Sequence, residues 1–447
     1  MRRIMLCGTN SGCGKTTVAA AILQALLNRG VRAASFKCGP DYIDPMFHSR
    51  IIGAQSYNLD RFFCDDDTLK FLFEKHSREA DISVIEGVMG FYDGGQASSH
   101  ELSQALNVPA VIVVDCKGMG TSVGAVIKGF LSYKATNNIA GFIFNRLSER
   151  LLPETRKICE ELHTEFLGYI PYCKNAEIQS RHLGLLTADE ISDLQTKAQI
   201  LAEAAEKYVC LDRLIELSNA GHLGGFKAPV LTRIGITKKK PVVIAAAADA
   251  AFCFTYRDNM ELLEELGCEI RYFSPLSDKK LPENSRGIIL CGGYPELYAE
   301  QLSENTAMLS EIRERILGGM PTIAECGGFM YLHETLENAD GKQFSAVGVI
   351  KGRAFKTEKL QRFGYVNLTA KRDNLLCKAG EKIPAHEFHY CESSDAGEDF
   401  SAEKTNGEVY SCIHAGENIY AGFPHLYFYA NPPIAENFVK KCMEYTG

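Results

Sequence analysis

The chain has 447 residues, 46% of them hydrophobic and 23% charged, which excludes a disordered or fibrous protein and leaves material for real cores. With 48 Lys and Arg against 56 Asp and Glu, the net charge of −8 gives no general pull toward nucleic acid or anionic lipid. No apolar run reaches the ~18 residues of a membrane span. The first eight residues turn to glycine and Lys15 too early for a signal peptide. Sixteen cysteines are spread along the chain with no CxxC, so neither a zinc ribbon nor a thioredoxin-like pair is expected. Reduced thiols and a cytoplasmic protein are the expectation.

At roughly 150 residues per domain the length allows two large domains or three smaller ones. In the first half short apolar runs alternate with helical patterns. Strands are predicted over 4–7, 31–36, 82–86, 110–115, 142–145 and 166–170. A helix is predicted over 15–28, where Val18, Ile22 and Leu26 share one face and Gly30 follows the end. Such alternation implies a parallel α/β sheet. Residues 189–218 read as helical. The glycine-rich loop 220–225 and the Lys-Lys-Lys-Pro junction ending at Pro241 then break the pattern.

A second α/β series follows, with strands predicted over 242–246, 269–273, 287–290 and 321–324 and helices over 258–266 and 300–317. Residues 344–369 and the tail read as β hairpins. Two domains, 1–235 and 236–447, fit best.

Gly8-Thr9-Asn-Ser-Gly12-Cys-Gly14-Lys15-Thr16-Thr17 follows a strand and opens a helix. Glycines let backbone N–H groups curl around phosphates, the helix start adds partial positive charge, Lys15 reaches the outer phosphates and the Thr16 hydroxyl can hold Mg²⁺. Five residues rather than the usual four separate Gly8 from Gly14. An ATP and Mg²⁺ site also needs acids at strand ends. Asp41 in Gly-Pro-Asp-Tyr-Ile-Asp-Pro, Glu86 at a strand end and Asp93 in Phe-Tyr-Asp-Gly-Gly are the candidates. Thr16, Asp41 and Glu86 are assigned to the metal, and Asp41, Tyr42 and Asp93 to the substrate or its acyl phosphate. Asn145 could read the adenine or serve only as a polar strand end.

In the second half, Pro-Thr-Ile-Ala-Glu-Cys326-Gly327-Gly reads strand, sharp turn, helix, a nucleophile elbow. The helix start lowers the pKa of a cysteine placed there. Gly327 and the turn at Gly293 can each give a backbone N–H to an oxyanion. His425 is the candidate base. His389 is the alternative, and suits a structural or substrate-side role better.

Together these residues resemble the cobyrinic acid a,c-diamide synthases, a family of corrinoid amidotransferases. The resemblance runs over 8–17, 39–48, 85–95, 115–122, 249–254, 292–296, 325–332, 386–390 and 425–432. It implies an N-terminal P-loop domain similar to dethiobiotin synthetase and a C-terminal class I glutamine amidotransferase domain. The implied chemistry is ATP-dependent activation of the a and c acetate carboxylates of cobyrinic acid as acyl phosphates. Ammonia from glutamine, released at a Cys326 thioester, then displaces phosphate. Glutamine, ATP and the tetrapyrrole are the partners, with neither nucleic acid nor membrane, and a homodimer is compatible with this picture.

Class I glutaminases usually carry Glu two residues beyond the catalytic His, where this chain has Tyr427. The corrinoid branch resembles this chain in lacking it, so a Cys–His dyad is expected, with the third partner of His425 open. Relatives often have His-x-His where this chain has His425-Leu-Tyr427, which leaves His425 alone at that spot. The same chemistry on hydrogenobyrinic acid or Ni-sirohydrochlorin stays open. More distant readings are amidation of another acid, such as a peptidoglycan precursor, and a regulatory P-loop ATPase with an inactive glutaminase domain. An intact Cys326 argues against the last of these.

Overall fold

The computed structural model describes residues 1–176, 188–231 and 241–446. It divides into two units, Met1–Ala228 and Pro229–Gly447. The expected boundary between 235 and 236, and the lysines of the junction before Pro241, lie outside the described residues.

The first unit is built on seven strands: β1 (Arg3–Gly8), β2 (Ala33–Cys38), β3 (Ser56–Leu59), β4 (Ile82–Gly90), β5 (Ala110–Asp115), β6 (Ile139–Asn145) and β7 (Phe166–Ile170). All pair in parallel, in the order β3-β2-β4-β1-β5-β6-β7. Runs such as Ala-Val-Ile-Val-Val are apolar at every position because helices cover both faces of a parallel sheet. The helix Lys15–Asn28 buries Val18, Ile22 and Leu26 in the core, as its spacing predicts.

β3 was not expected. Its Ser-Tyr-Asn-Leu sequence lacks a strand pattern, yet all four residues are buried. The predicted helix over 189–218 is two helices, Ala188–Tyr208 and Leu211–Leu217. They part where Val209 forms a single bridge to Gly168 of β7. The order places β1 centrally, where the strand order reverses, so the carboxyl ends of β1, β2 and β4 form the natural ligand crevice.

The second unit begins with β8 (Val242–Ala247), β9 (Phe252–Phe254), β10 (Cys268–Phe273), β11 (Ser285–Leu290), β12 (Gly292–Gly293) and β13 (Thr322–Glu325). It continues with β14 (His333–Glu337), β15 (Gln343–Ser345), β16 (Ile350–Lys356), β17 (Arg362–Ala370), β18 (Lys382–His389) and β19 (Cys391–Ser393). Last come β20 (Phe400–Lys404), β21 (Val409–Cys412), β22 (His414–Ala415), β23 (Ile419–Gly422) and β24 (His425–Leu426). The main sheet runs β10-β8-β11-β13-β23-β22, parallel except for the edge strand β22. An antiparallel sheet, β21-β20-β17-β18-β24, carries His425 at its end.

The hairpin expected over 344–369 is not formed. β16 pairs with β14 and β19, whereas β17 pairs with β18 and β20. Thr357, just after β16, is tied through its N–H and its hydroxyl to Tyr390 O, so the chain there cannot fold straight back on itself. The tail contains the hairpin β20–β21 but ends in a helix, Pro432–Glu444, whose first positions hold prolines that suit a helix start. The predicted helix over 300–317 breaks at Asn305, whose buried side-chain amide donates to Pro275 O and Asp278 O.

Candidate active site

In the first unit the loop after β1 takes left-handed backbone at Gly12 (φ 79°) and Gly14 (φ 89°), a geometry that glycine adopts without cost. Lys15 opens the helix and its Nζ donates to Met89 O at 3.4 Å. Asn145, at the end of β6, supports the loop: its Nδ2 donates to Cys13 O at 3.0 Å. A Cβ on Gly14 would sit 2.0 Å from that nitrogen, so only glycine fits there. Thr9 lies beside the turn after β4, where Asp93 Oδ2 accepts from Gly90 N at 3.0 Å.

The acids converge beside this loop. The Thr16 hydroxyl donates to Glu86 Oε1 at 2.6 Å, joining two predicted metal ligands. Lys37, at the end of β2, sends its Nζ to Asp44 Oδ2 at 2.5 Å and to Glu86 Oε1 at 3.0 Å. Burial opposes its charge, but Glu86 and Asp44 outweigh it and raise its pKa. His48 Nε2 lies 3.4 Å from Glu86 Oε2, and its Nδ1 lies 2.8 Å from Ser35 Oγ. Burial lowers the His48 pKa. Asp41 Oδ1 accepts from the N–H groups of Ile43 and Asp44, which fixes the Asp-Tyr-Ile-Asp turn. Burial, then the neighbouring Asp44, pushes the Asp41 carboxyl up to about 6. Tyr42 is half-buried beside it. The Thr16 hydroxyl and the carboxylates of Glu86, Asp41 and Asp44 supply hard oxygen donors, the set that Mg²⁺ prefers.

In the second unit Cys326 joins β13 to the helix Gly327–Tyr331 at φ 48°, ψ −103°. Such a backbone is strained for a residue with a Cβ, and it lifts the side chain off the sheet. The turn is held by Cys326 N–H donating to Gly422 O at 2.8 Å, and by Met330 N–H donating to Cys326 O at 2.9 Å. Gly328 is required on packing grounds, because a Cβ there would meet Leu290 O at 2.1 Å. A Cβ on Gly327 would lie 2.9 Å from Gly293 N, so the two turns predicted to supply oxyanion donors are in contact.

His425 is buried at 2% exposure and its ring hydrogen-bonds the Cys326 thiol. Burial pushes the imidazole pKa down, but the bonds to Cys326 and Glu325 reverse this and raise it to about 10. Glu325 Oε2 lies 3.4 Å from His425 Nδ1. The strand β24 is anchored by Asn259, whose amide donates to Leu426 O and whose carbonyl accepts from Phe428 N–H, both at 2.8 Å. His389, the alternative base, stacks flat on Phe423 at 3.9 Å between ring centres, with Nδ1 2.7 Å from Cys391 O. Burial lowers its pKa to about 4. It serves packing in this arrangement.

Comparison with known proteins gives a family for each half of the chain. Residues 4–186 match the family described as the CobQ/CobB/MinD/ParA nucleotide binding domain, and residues 243–433 match the CobB/CobQ-like glutamine amidotransferase domain. A protein of Caldanaerobacter subterraneus named cobyrinate a,c-diamide synthase is 38% identical over 455 residues, covering 99% of each chain. One of the same name from Listeria innocua is 38% identical over 448 residues, covering 97% of this chain and 98% of its own. A third, from Thermoplasma volcanium, is 35% identical over 453 residues, covering 99% and 98%. The chain belongs to the cobyrinate a,c-diamide synthase family. Its first unit is a P-loop nucleotide-binding domain and its second a glutamine amidotransferase domain.

For this member of the cobyrinate a,c-diamide synthase family, Gly8, Thr9, Gly12, Gly14, Lys15, Thr16, Thr17 and Asn145 come together around one loop in the structure. Sequence reasoning missed Lys37, Asp44 and His48. Asp44 stood inside the quoted Gly-Pro-Asp-Tyr-Ile-Asp-Pro stretch. Lys37 gave a signal as a charge in an otherwise buried strand, which demands partners. His48 gave none, because its partner Glu86 is remote in sequence. No described helix is long and apolar enough to cross a membrane. None of the sixteen cysteines forms a disulfide.

Proposed function

We propose that this chain amidates the a and c acetate carboxylates of cobyrinic acid, using ATP and the amide nitrogen of glutamine. The observation that carries the reading is the pairing of Cys326, on its strained elbow, with the buried imidazole of His425. It stands in a chain that also holds a P-loop backed by the Thr16–Glu86 pair.

At the first centre, Lys15 and the loop N–H groups hold the outer phosphates of ATP. Thr16, Glu86 and Asp41 are the residues to hold Mg²⁺, which supplies charge neutralisation on the phosphates when bound. Asp41, Tyr42 and Asp93 face the carboxylate that takes the γ-phosphoryl group. Lys37, neutralised by Glu86 and Asp44 in the resting site, is a cation available to that phosphoryl group. At the second centre, the Cys326 thiolate adds to the glutamine amide carbon. The N–H groups of Gly293 and Gly327 stabilise the oxyanion. His425 gives its proton to the leaving ammonia, and water then cleaves the thioester to glutamate. The ammonia displaces phosphate from the acyl phosphate at the first centre. The setting is the cytoplasm.

Mass spectrometry of products tests the reading. The chain, ATP, Mg²⁺ and glutamine are offered cobyrinic acid, hydrogenobyrinic acid and Ni-sirohydrochlorin in parallel. Diamide formed fastest from cobyrinic acid is expected. Faster turnover of another macrocycle moves the substrate and keeps the chemistry. No amide from any of them, with ammonia failing too, overturns the reading. Cys326→Ser is expected to lose glutamine use and keep ammonia-dependent synthesis.

A further inference from the structure

The Cys326–His425 pair lacks the acid that glutaminases of this class usually carry two residues beyond the histidine. Tyr427 stands there, and its hydroxyl donates to Asp258 Oδ2 at 2.8 Å, which engages it away from the imidazole. An imidazole that must take and return a proton needs its other nitrogen held, both to fix the tautomer and to stabilise the imidazolium.

We propose that Glu325, the residue immediately before the nucleophile, is the positioning acid for His425. Its Oε2 is 3.4 Å from Nδ1, and its Oε1 accepts the N–H of Leu426 at 3.2 Å, so one carboxylate holds the ring and the strand that carries it. Both residues are buried, Glu325 at 7% and His425 at 2% exposure. On another side of the ring, a Cβ on Gly292 would come within 2.5 Å of Cε1, so the imidazole has little room to turn away.

The other groups that face His425 do not offer this contact. From β18, opposite β24, come His386, Glu387 and His389. Glu387 already accepts the Tyr410 hydroxyl. His389 Nδ1 is held by Cys391 O. His386 sits opposite His425 in register and carries no negative charge. Cys291 and Tyr420 lie near Glu325.

The proton bookkeeping is closed within the site. The Cys326 thiol proton moves to His425 Nε2, the thiolate attacks the amide carbon, and the same proton goes to the departing ammonia. Glu325 takes no part in the proton transfer and holds the Nδ1 side of the ring. The sequence hides this arrangement. A relay built from residues i and i+1 works here because Cys326 sits on a turn while Glu325 ends a strand, so the two side chains reach one ring from different directions.

This inference rests on the glutaminase reading of the Cys326 site, and its test separates the two. Wild type, Glu325→Gln and Glu325→Asp are compared in the full chain. Measured are glutaminase kcat and KM across pH, ammonia-dependent amidation, and the pH dependence of iodoacetamide labelling at Cys326, located by peptide mass spectrometry. Glu325→Gln is expected to lower kcat about 100-fold or more, with KM for glutamine changed less than about threefold. Labelling at neutral pH should fall and its midpoint should move up, because the imidazolium that stabilises the thiolate has lost its partner. Glu325→Asp keeps the charge and should return the midpoint toward wild type. Ammonia-dependent amidation should persist in both. A wild-type kcat and labelling midpoint in a folded Glu325→Gln overturn the proposal, as does an Asp variant whose midpoint matches that of Gln. Absence of glutaminase activity in the wild type overturns the underlying reading instead.

Discussion

Gly292→Ala isolates the placement of His425 from its chemistry. Gly292 does not have a positive φ, so alanine brings no backbone penalty. The added Cβ would stand 2.5 Å from His425 Cε1 and 3.2 Å from Phe254 Cβ. Ordinary carbon contacts lie at about 3.5–4.0 Å, so the ring has to retreat by about 1 Å. It retreats from a position fixed by Glu325 and by β24. A displacement of that size in a proton-transfer group costs on the order of 100-fold in rate, or about 2.7 kcal/mol in the barrier. Glutaminase kcat is therefore expected to fall about 100-fold while KM for glutamine changes little. Ammonia-dependent amidation, which belongs to the other unit, should stay at the wild-type rate. The assay is steady-state glutamate release beside ammonia-driven product formation in one preparation. A glutaminase kcat within about threefold of wild type, in a protein with an unchanged melting temperature, would refute the placement of His425 as the working base.

Lys15→Ala is expected to stop amidation from either glutamine or ammonia while glutamate release persists, and amide formation by that variant would remove the loop from the phosphate site. Asn145→Ala removes the bond to Cys13 O and should raise KM for ATP several-fold through a looser loop, read from initial rates against ATP; an unchanged KM would show that the loop holds its shape without it. Asp41 carries a pH signature. Its folded pKa of about 6 lies above the ordinary carboxylate value of 3.8, so the folded state binds the proton more tightly. The associated stabilisation is full below pH 3.8 and is lost as pH rises to about 6. It amounts to at most about 3 kcal/mol. Asp41→Asn should flatten the fall of melting temperature with rising pH across that window in the nucleotide-free protein, and an unchanged pH profile would remove Asp41 from the buried cluster.

Much of both centres can be read from the sequence, for a physical reason. A phosphate loop and a nucleophile elbow depend on local backbone geometry, and local geometry is written in consecutive residues. Gly12 and Gly14 take left-handed backbone, Gly328 lies against a carbonyl, and Cys326 is forced to a positive φ by the strand and helix it joins. The strands around them read well because a parallel sheet buried on both faces must be apolar throughout. β3 escaped because its polar residues are buried by their neighbours rather than by their own pattern. The hairpin expected over 344–369 failed because strand order in the small sheets depends on partners far along the chain.

What the sequence conceals is the set of charges that meet only after folding. Glu86 is remote in sequence from Lys37, Asp44 and His48, and the four form one buried group whose charges hold each other in place. Buried ions of this kind contribute little net stability, since desolvation offsets most of the attraction. Their arrangement is better explained by what displaces them. A nucleotide bringing Mg²⁺ would compete with Lys37 for Glu86 and Asp44. The freed lysine would then carry a positive charge beside incoming phosphates. By the same logic Glu325 lies next to the nucleophile in sequence yet shows its role only through His425, which is 100 residues further on and is brought back by β24. Both centres hold a charge near the reacting atoms, and in both one partner that holds it, Glu86 or Glu325, is supplied by a strand of the sheet.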